Sequence, residues 1–266
     1  MMNNQTAPIT FGSLFTGIGG LDLGLERAGM QCAWQVEINA YAQNVLRRHW
    51  SHLPLYGDIT KTDFTQVPRV DVVCGGFPCQ PHSSAGKRLA SADERDLWHE
   101  YLRVIDEVGP RCIIAENVPG LLSSEKGRFF ERVLETLAAR GFDAEWEILP
   151  ASAFGAPHRR ERVFLVAYAR RVHEGRPKRI FERAGHLADY QQPNGLADWN
   201  GVQIDRTSRA ATVRSACAAL ACEPLVSRLD DGLPERLGAL SGYGNAVVPA
   251  VGEFVGRCVM RSLFSR

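Results

Sequence analysis

A loop centred on Cys79 carries the residue types expected of a presented nucleophile. Residues 74–87 read CGGFPCQPHSSAGK and follow residues 70–73, VDVV, a β-branched run that predicts a buried strand. Glycines and prolines interrupt regular structure in this loop, and ligands bind at the carboxyl ends of strands in open α/β sheets. Free cysteines are often inert core residues, the role we predict for Cys74. The loop alone leaves catalysis and packing open for Cys79.

A carboxylate and two arginines adjoin other predicted strands. Glu116 directly follows residues 111–115, RCIIA, so it would lie on the same sheet edge as Cys79. A cap on the following turn is the structural alternative for this glutamate. Arg160 and Arg162 immediately precede a further predicted strand. The sequence thus predicts one sheet edge that carries both a thiol and a carboxylate.

A glycine-rich turn near the N-terminus predicts a cofactor site. Residues 15–20, FTGIGG, link a predicted strand to a helical pattern that begins at Leu21, and such a turn lets a ligand approach the helix N-terminus. Glu37 ends the next predicted strand, where a carboxylate can accept hydrogen bonds from ribose hydroxyls. Asp22 stands where a dinucleotide fingerprint has its third glycine, which weakens a nicotinamide interpretation. The pattern favours a nucleoside cofactor over a purely structural turn.

Strands and helices alternate through the first two thirds of the chain. This alternation predicts an α/β fold with a mostly parallel sheet and helices on both faces. A second acid, Asp58, follows a brief extended segment, and a helix cap is its structural alternative. From Arg170 to about Glu223 the periodicity fades, which indicates a small irregular subdomain or a long functional insertion. Strands are predicted over residues 9–16, 33–36, 70–74, 111–115, 144–149 and 163–168, and helices over residues 40–50, 96–108 and 129–140.

Composition narrows the class of protein. The 266 residues are 45% hydrophobic and 23% charged, as is ordinary for a soluble globular protein, and no apolar run approaches the roughly 20 residues that span a bilayer. The N-terminus lacks the features of a signal peptide. Seven cysteines without paired spacing indicate a reducing compartment and no zinc site. The net charge of the chain is +1, yet residues 155–215 contain twelve Lys/Arg and only six Asp/Glu. Such a local positive surplus is typical of a solvated surface, and a segment that contacts phosphates would also need it.

Taken together and in this order, the motifs closely resemble the DNA (cytosine-5) methyltransferases. They cover nearly the whole chain and comprise that family's cofactor loop, nucleophile loop, glutamate motif, arginine motif and closing motif. His158 departs from the glutamine that the arginine motif usually carries. In chain order, the matching segments are residues 15–20 FTGIGG, 76–81 GFPCQP, 116–118 ENV, 155–162 GAPHRRER and 244–247 GNAV.

The resemblance implies a Rossmann-like S-adenosylmethionine-dependent methyltransferase sheet with helices on both faces, plus a small irregular target-recognition region. Residues 1–168 would form the catalytic and cofactor-binding domain, residues 169–238 the target-recognition region, and residues 239–266 a C-terminal helix that returns to the catalytic domain. The implied cofactor is S-adenosyl-L-methionine, and no metal is implied. The residues implied to contact S-adenosyl-L-methionine are Phe15, Thr16, Gly17, Ile18, Gly19, Gly20, Glu37, Ile38, Asp58, Ile59, Gly76, Pro78, Leu97, Asn245, Ala246 and Val247.

The implied reaction is methyl transfer to C5 of cytosine in DNA. The Cys79 thiolate would add to C6 of a flipped-out base, because C5 is a poor nucleophile until the ring is activated. Glu116 would hydrogen-bond or protonate N3, while Arg162, with Arg160 behind it, would hold the O2 carbonyl. Loss of the C5 proton and elimination of Cys79 would then release 5-methylcytosine.

The implied partner is double-stranded DNA, and a cognate restriction endonuclease is a further partner that the family allows. The protein is expected to be a monomer of bacterial or phage type in the cytoplasm, with no membrane association. A methyltransferase acting on tRNA would share all the catalytic residues, whereas a non-catalytic S-adenosylmethionine-binding protein would be expected to lose Cys79 or Glu116. The alternative of a nicotinamide-dependent oxidoreductase is supported only by the glycine turn. The residues implied to contact DNA are Gln80, Ser83, Lys87 and Arg95.

Overall fold

The sheet and its helices are defined by a computed structural model that describes residues 7–78, 97–156, 158–172, 180–181 and 246–264. The strands are β1 (Thr10–Leu14), β2 (Gln31–Val36), β3 (Leu55–Tyr56), β4 (Val72–Gly76), β5 (Cys112–Asn117), β6 (Phe142–Pro150) and β7 (Glu161–Ala169). They form one seven-stranded sheet in the order β3-β2-β1-β4-β5-β7-β6. The helices are α1 (Gly20–Arg27), α2 (Ala40–His49), α3 (Trp98–Val108), α4 (Arg128–Ala139) and α5 (Pro249–Val259).

Strand direction divides the sheet in two. β1 to β5 pair in parallel, as the alternating pattern predicted, whereas β7 is antiparallel to both β5 and β6. Only residues 151–160 connect β6 to β7, which is too short for the helical crossover that parallel neighbours require. The carboxyl ends of β1, β2, β4 and β5 therefore share one edge.

Helices cover both faces of the sheet, which confirms the predicted α/β architecture. On one face α1 and α5 bury Leu25 and Val255 against strand residues such as Val72. On the other, α3 and α4 bury Tyr101 and Val133 against the opposite side of the same strands. Adjacent residues of a strand point to opposite faces, so the continuous apolar runs read from the sequence correspond to strands buried on both sides.

Glycines bring α1 and α5 into close contact. A Cβ on Gly24 would lie 2.5 Å from the carbonyl oxygen of Pro249, and one on Gly256 would lie 2.7 Å from Cβ of Ala28. A Cβ on Gly20 would overlap the carbonyl of Val247. This approach places the segment before α5 directly against the glycine-rich turn, although the two are more than 200 residues apart in the chain.

The structure moves some predicted boundaries. Glu116, predicted to lie in a loop, is part of β5, where it pairs with Phe164 of β7. The antiparallel ladder with β7 extends β5 through Asn117, and a single strand's sequence does not reveal that partner. Most of the predicted target-recognition region, residues 169–238, lies outside the described residues. Within the described ranges, no helix is both long and apolar enough to cross a membrane.

Candidate functional site

A cavity of about 500 Å³ opens at the shared carboxyl edge of β1, β2, β4 and β5. Its wall combines the glycine-rich turn, the ends of four strands and the segment that precedes α5. Both the predicted cofactor residues and the predicted catalytic carboxylate contribute to it. The lining includes Ser13, Phe15, Thr16, Gly17, Asp22, Glu37, Ile38, Asp58, Ile59, Gly76, Pro78, Leu97, Glu116, Asn117, Arg162, Ala246 and Val247.

Glu37 ties the glycine-rich turn to the end of β2. Its Oε2 accepts a 2.7 Å hydrogen bond from the backbone N–H of Gly17, and its Oε1 accepts one of 2.7 Å from that of Asn39. Gly17 and Gly19 have positive φ values of 58° and 84°, a conformation that glycine adopts without strain. The turn is thereby fixed with its backbone at the cavity wall, and the carboxylate keeps lone pairs for a ligand hydroxyl.

Asp58 and Ile38 flank this turn. The Asp58 carboxylate caps the short helical turn Ile59–Lys61 by accepting hydrogen bonds from N–H and Oγ1 of Thr60, and these bonds lower its pKa. The capping role considered from the sequence is thus present, and the residue also lines the cavity. Ile38 is 71% exposed, so it offers an apolar surface beside Glu37 that a planar ring could cover.

Glu116, which is buried, and Arg162, which is partly exposed, form an ion pair at the opposite wall. Arg162 Nε lies 2.9 Å from Glu116 Oε1, and no described donor makes a hydrogen bond of ordinary geometry to that oxygen. Burial raises the Glu116 pKa to about 7, although Arg162 and Arg160 act to lower it. A Cβ on Gly76 would lie 2.6 Å from Glu116 Oε2, so a larger residue there would displace this carboxylate. The pair presents an acid that titrates near neutrality.

Arg160 has a different environment from Arg162. Its Nη2 donates a 2.7 Å hydrogen bond to the carbonyl oxygen of Ala246, and its φ of 27° is unusual for a non-glycine residue. Ala246 lines the cavity. Arg160 therefore holds the segment before α5 in place, and it is not among the described residues that line the cavity.

Asn117 anchors the start of the predicted nucleophile loop. Its Nδ2 donates a 2.9 Å hydrogen bond to the carbonyl oxygen of Phe77, whose ring packs against Trp98 at a centroid distance of 4.9 Å. Pro78, the next residue, lines the cavity. The backbone is thus positioned at the cavity wall up to the residue before Cys79, which itself lies outside the described residues.

A family model described as C-5 cytosine-specific DNA methylase matches residues 9–208. The chain belongs to this family. The type II methyltransferase M.BsuFI of Bacillus subtilis is 37% identical over 166 residues, which cover 62% of this chain and 40% of that protein. M.MspI of Moraxella sp is 37% identical over 160 residues, or 59% of this chain and 38% of that protein. The chain spans less than half the length of these two relatives.

Solved structures share the fold of this cytosine-5 methylase family member. A candidate DNA modification methyltransferase encoded within an E. coli prophage superposes with a TM-score of 0.67 at 17% identity, covering 97% of this chain and 100% of that one. The S. pombe Dnmt2 methyltransferase gives a TM-score of 0.59 at 16% identity, covering 95% and 99%. At these identities the likeness concerns the fold, and it agrees with the predicted methyltransferase sheet.

In this cytosine-5 methylase family member, most predicted site residues within the described ranges meet at the one cavity. Ile18, Gly19 and Gly20 belong to the same turn but are not among the residues that line the cavity. Ser13, Asp22 and Asn117 also line the cavity, although they were not predicted as site residues. The sequence signal for Ser13 is a serine within an apolar strand, and the signal for Asp22 is an acid on the buried face of a helix. The predicted residues that lie outside the described ranges are Cys79, Gln80, Ser83, Lys87, Arg95 and Asn245.

Metal binding finds no support in the part of the chain that the structure describes. No group of three or more His, Cys, Asp or Glu side chains there is arranged to hold a metal ion. The buried thiols of Cys32, Cys74, Cys112 and Cys258 are unpaired, and burial raises the pKa of each. Cys74 is fully buried, so the structure gives it the core role that the sequence predicted.

Proposed function

We propose that this protein transfers a methyl group from S-adenosyl-L-methionine to C5 of cytosine in double-stranded DNA. The single observation that carries the proposal is the Glu116–Arg162 pair, whose buried acid with an unbonded oxygen faces the same cavity as the Glu37-braced glycine turn. A cofactor wall and an acid suited to a heteroaromatic base are thus combined in one chamber.

The cavity fits a nucleoside cofactor. Glu37 retains lone pairs for ribose hydroxyls, and Ile38 offers an apolar face for an adenine ring. Phe15, Asp58, Ala246 and Val247 complete the wall. Bound S-adenosylmethionine would supply an electrophilic methyl group. The other residues proposed to hold it are Thr16, Gly17, Ile18, Gly19, Gly20, Ile59, Gly76, Pro78, Leu97 and Asn245.

Glu116 and Arg162 would recognise and activate the cytosine ring. A carboxyl with a pKa near 7 is partly protonated at neutral pH, so it can donate a hydrogen bond to N3 as negative charge develops there. The free Oε1 can accept a hydrogen bond from the exocyclic amine. Arg162, held beside it, would bind the O2 carbonyl, while Arg160 acts by positioning Ala246 and the nearby backbone.

Cys79 would be the nucleophile. Its thiolate would add to C6 of the base, which moves electron density to C5 and allows C5 to attack the methyl group. Loss of the C5 proton and elimination of the thiolate would restore aromaticity. Pro78 lies at the cavity wall, which supports the placement of the next residue within reach of the same chamber.

The substrate base would have to leave the duplex, because C6 is inaccessible within stacked DNA. Gln80, Ser83, Lys87 and Arg95 would contact the surrounding strands. Residues 169–238, with their basic surplus, would form the target-recognition region, between a catalytic domain of residues 1–168 and a closing helix within residues 239–266. We further propose that the protein acts as a cytoplasmic monomer, alone or beside a cognate restriction endonuclease.

Purified protein, labelled S-adenosylmethionine, mixed-sequence duplex DNA and total tRNA test this function. Label in DNA cytosine C5 with the wild type, and none with Cys79→Ser, is the expected result, and sequencing the product would give the target site. Transfer to tRNA alone would replace DNA with RNA as the substrate. No transfer to either, with cofactor still bound, would contradict catalysis and leave a cofactor-binding protein.

A further inference from the structure

Asp22 is a fully buried carboxylate at the base of the cavity. It lies in the first turn of α1, with 0% of its surface exposed. Its Oδ1 accepts a 2.7 Å hydrogen bond from Oγ of Ser13, and its Oδ2 accepts one of 2.7 Å from Nε2 of Gln35. Asp22 thus joins the helix to the ends of β1 and β2, directly below the glycine-rich turn.

No positive side chain among the described residues neutralises this acid. No lysine, arginine or histidine of the described residues forms an ion pair with Asp22. The charge of Glu26 acts to raise the Asp22 pKa, and the charge of Asp22 acts to raise the pKa values of Cys32 and Cys74. Glu26 is a like charge on the same helix, and the two thiols stay neutral because burial raises their pKa. A buried carboxylate without a cation is costly, so its presence calls for a compensating partner.

The cavity offers the place for that partner. Asp22 and Ser13 line it together with Thr16, whose Oγ1 donates a 3.1 Å hydrogen bond to Oγ of Ser13. These side chains connect the cavity to the carboxylate without a positive group between them. A cation that enters the cavity would therefore interact with Asp22 through a medium of low dielectric constant, where charge–charge energies are large.

We infer that Asp22 is a counter-charge residue that makes the cavity prefer the positively charged S-adenosylmethionine over its neutral demethylated product. The inference rests on the proposed function, which supplies the cofactor. S-adenosylmethionine differs from S-adenosylhomocysteine by the methyl group on sulfur and the sulfonium charge that this group creates, while the adenosine, ammonium and carboxylate groups are common to both. A fixed negative charge attracts the sulfonium of the first molecule and meets no charge on the sulfur of the second, so it selects the methyl donor and promotes release of the spent cofactor.

Calorimetric binding of the two cofactor forms to wild type and to Asp22→Asn tests this directly. Asparagine keeps the shape and removes the charge; its amide oxygen can accept the bond from Ser13, and its amide N–H can donate to Gln35 once the Gln35 amide flips to present Oε1. The expected result is that the affinity ratio between S-adenosylmethionine and S-adenosylhomocysteine falls by at least about threefold, while the affinity for S-adenosylhomocysteine stays within about twofold. An unchanged ratio would overturn the inference.

Ser13→Ala, measured at pH 8 where the carboxyl stays ionised, is the matched control, because it removes one hydrogen bond to Asp22 and keeps the carboxylate in place. It is expected to change both affinities together, so equal losses in Asp22→Asn would show a merely structural role and contradict the proposal. If wild type binds neither cofactor form, the proposed function fails, and the inference fails with it. Binding of both forms with an unaltered ratio would sink the inference alone.

A pH series provides a second measurement that does not depend on the folding of Asp22→Asn. Protonation of Asp22 should lower the affinity ratio as the pH falls from 8 to 5. Glu116 lies on the same cavity wall and also titrates in this range, so the series is run in Glu116→Gln. A ratio that stays constant across the range in this variant would overturn the proposal.

Discussion

Arg162 Nε lies 2.9 Å from Oε1 of Glu116, at the ends of neighbouring antiparallel strands and at the wall of the cavity. The arginine supplies charge to this carboxyl, and no described donor makes a hydrogen bond of ordinary geometry to Oε1. The acid therefore remains available to a ligand, and burial keeps its pKa close to 7 in spite of two nearby guanidinium groups. A buried carboxyl with these properties is what the proposed role of Glu116 as a general acid requires.

Replacing Glu116 with glutamine should reduce methyl transfer by roughly 10²- to 10⁴-fold, because glutamine cannot move a proton to or from the base. Cofactor affinity should change little, since the residue faces the cofactor turn across the cavity. Single-turnover methylation assays and cofactor calorimetry measure the two quantities. Glu131→Gln, an exposed position on α4, is the control and should retain full activity. Wild-type rates in Glu116→Gln would contradict the assigned role.

The Asp22→Asn variant should be more stable than wild type at neutral pH. Burial raises the Asp22 pKa from 3.8 to about 6, so the folded state holds the proton more tightly than the unfolded state. The contribution of Asp22 to stability is therefore greatest below pH 3.8 and is lost as the pH rises through about 6. Its ionisation costs up to about 3 kcal/mol at pH 7, which asparagine avoids.

Urea unfolding of both proteins at pH 7 and pH 5 measures this effect. The difference in unfolding free energy should favour Asp22→Asn at pH 7 and shrink at pH 5, where wild-type Asp22 is largely protonated. A difference that does not depend on pH would argue against titration of this carboxyl. Stability gained together with reduced cofactor selectivity would mark Asp22 as a position where function opposes stability.

Gly24→Ala should destabilise the protein by about 1–3 kcal/mol, because the added Cβ would meet the Pro249 carbonyl at 2.5 Å in a tightly packed helix pair. Helix propensity alone would predict the opposite sign, so thermal unfolding separates the two effects. Gly120→Ala is the matched control, since the nearest atom to its Cβ would be 3.9 Å away. A stabilised Gly24→Ala protein would show that the helices separate easily.

Arg160→Gln should weaken cofactor binding by roughly tenfold while leaving the chemical step less affected, because the loss of one charge-assisted hydrogen bond releases Ala246 at the cavity wall. Cofactor KM and the single-turnover rate measure the two effects separately. Arg159→Gln removes a neighbouring arginine whose side chain is 79% exposed, and it should behave as wild type. A loss confined to the chemical step would instead place Arg160 against the base.

Much of the site followed from local sequence. The glycine turn at residues 15–20, the acid at Glu37 and the apolar strands are short-range patterns, since backbone freedom and side-chain alternation act over a few residues. The order of strands and helices then placed Glu37, Asp58 and Glu116 at one sheet edge, because parallel strands end together. The family motifs added the chemistry expected of these positions.

Tertiary structure decided the remaining features, because each depends on a partner distant in the chain. Glu116 belongs to a strand only because β7 extends its ladder, and its pKa follows from burial beside Arg162. Arg160 reaches Ala246 across 86 positions. The sequence marked Asp22 only as a missing glycine, whereas packing bonded it to Ser13 and Gln35, with no cation beside it in the part of the chain that the structure describes. Local pattern determines which groups reach the edge, and packing determines their charge and their contacts.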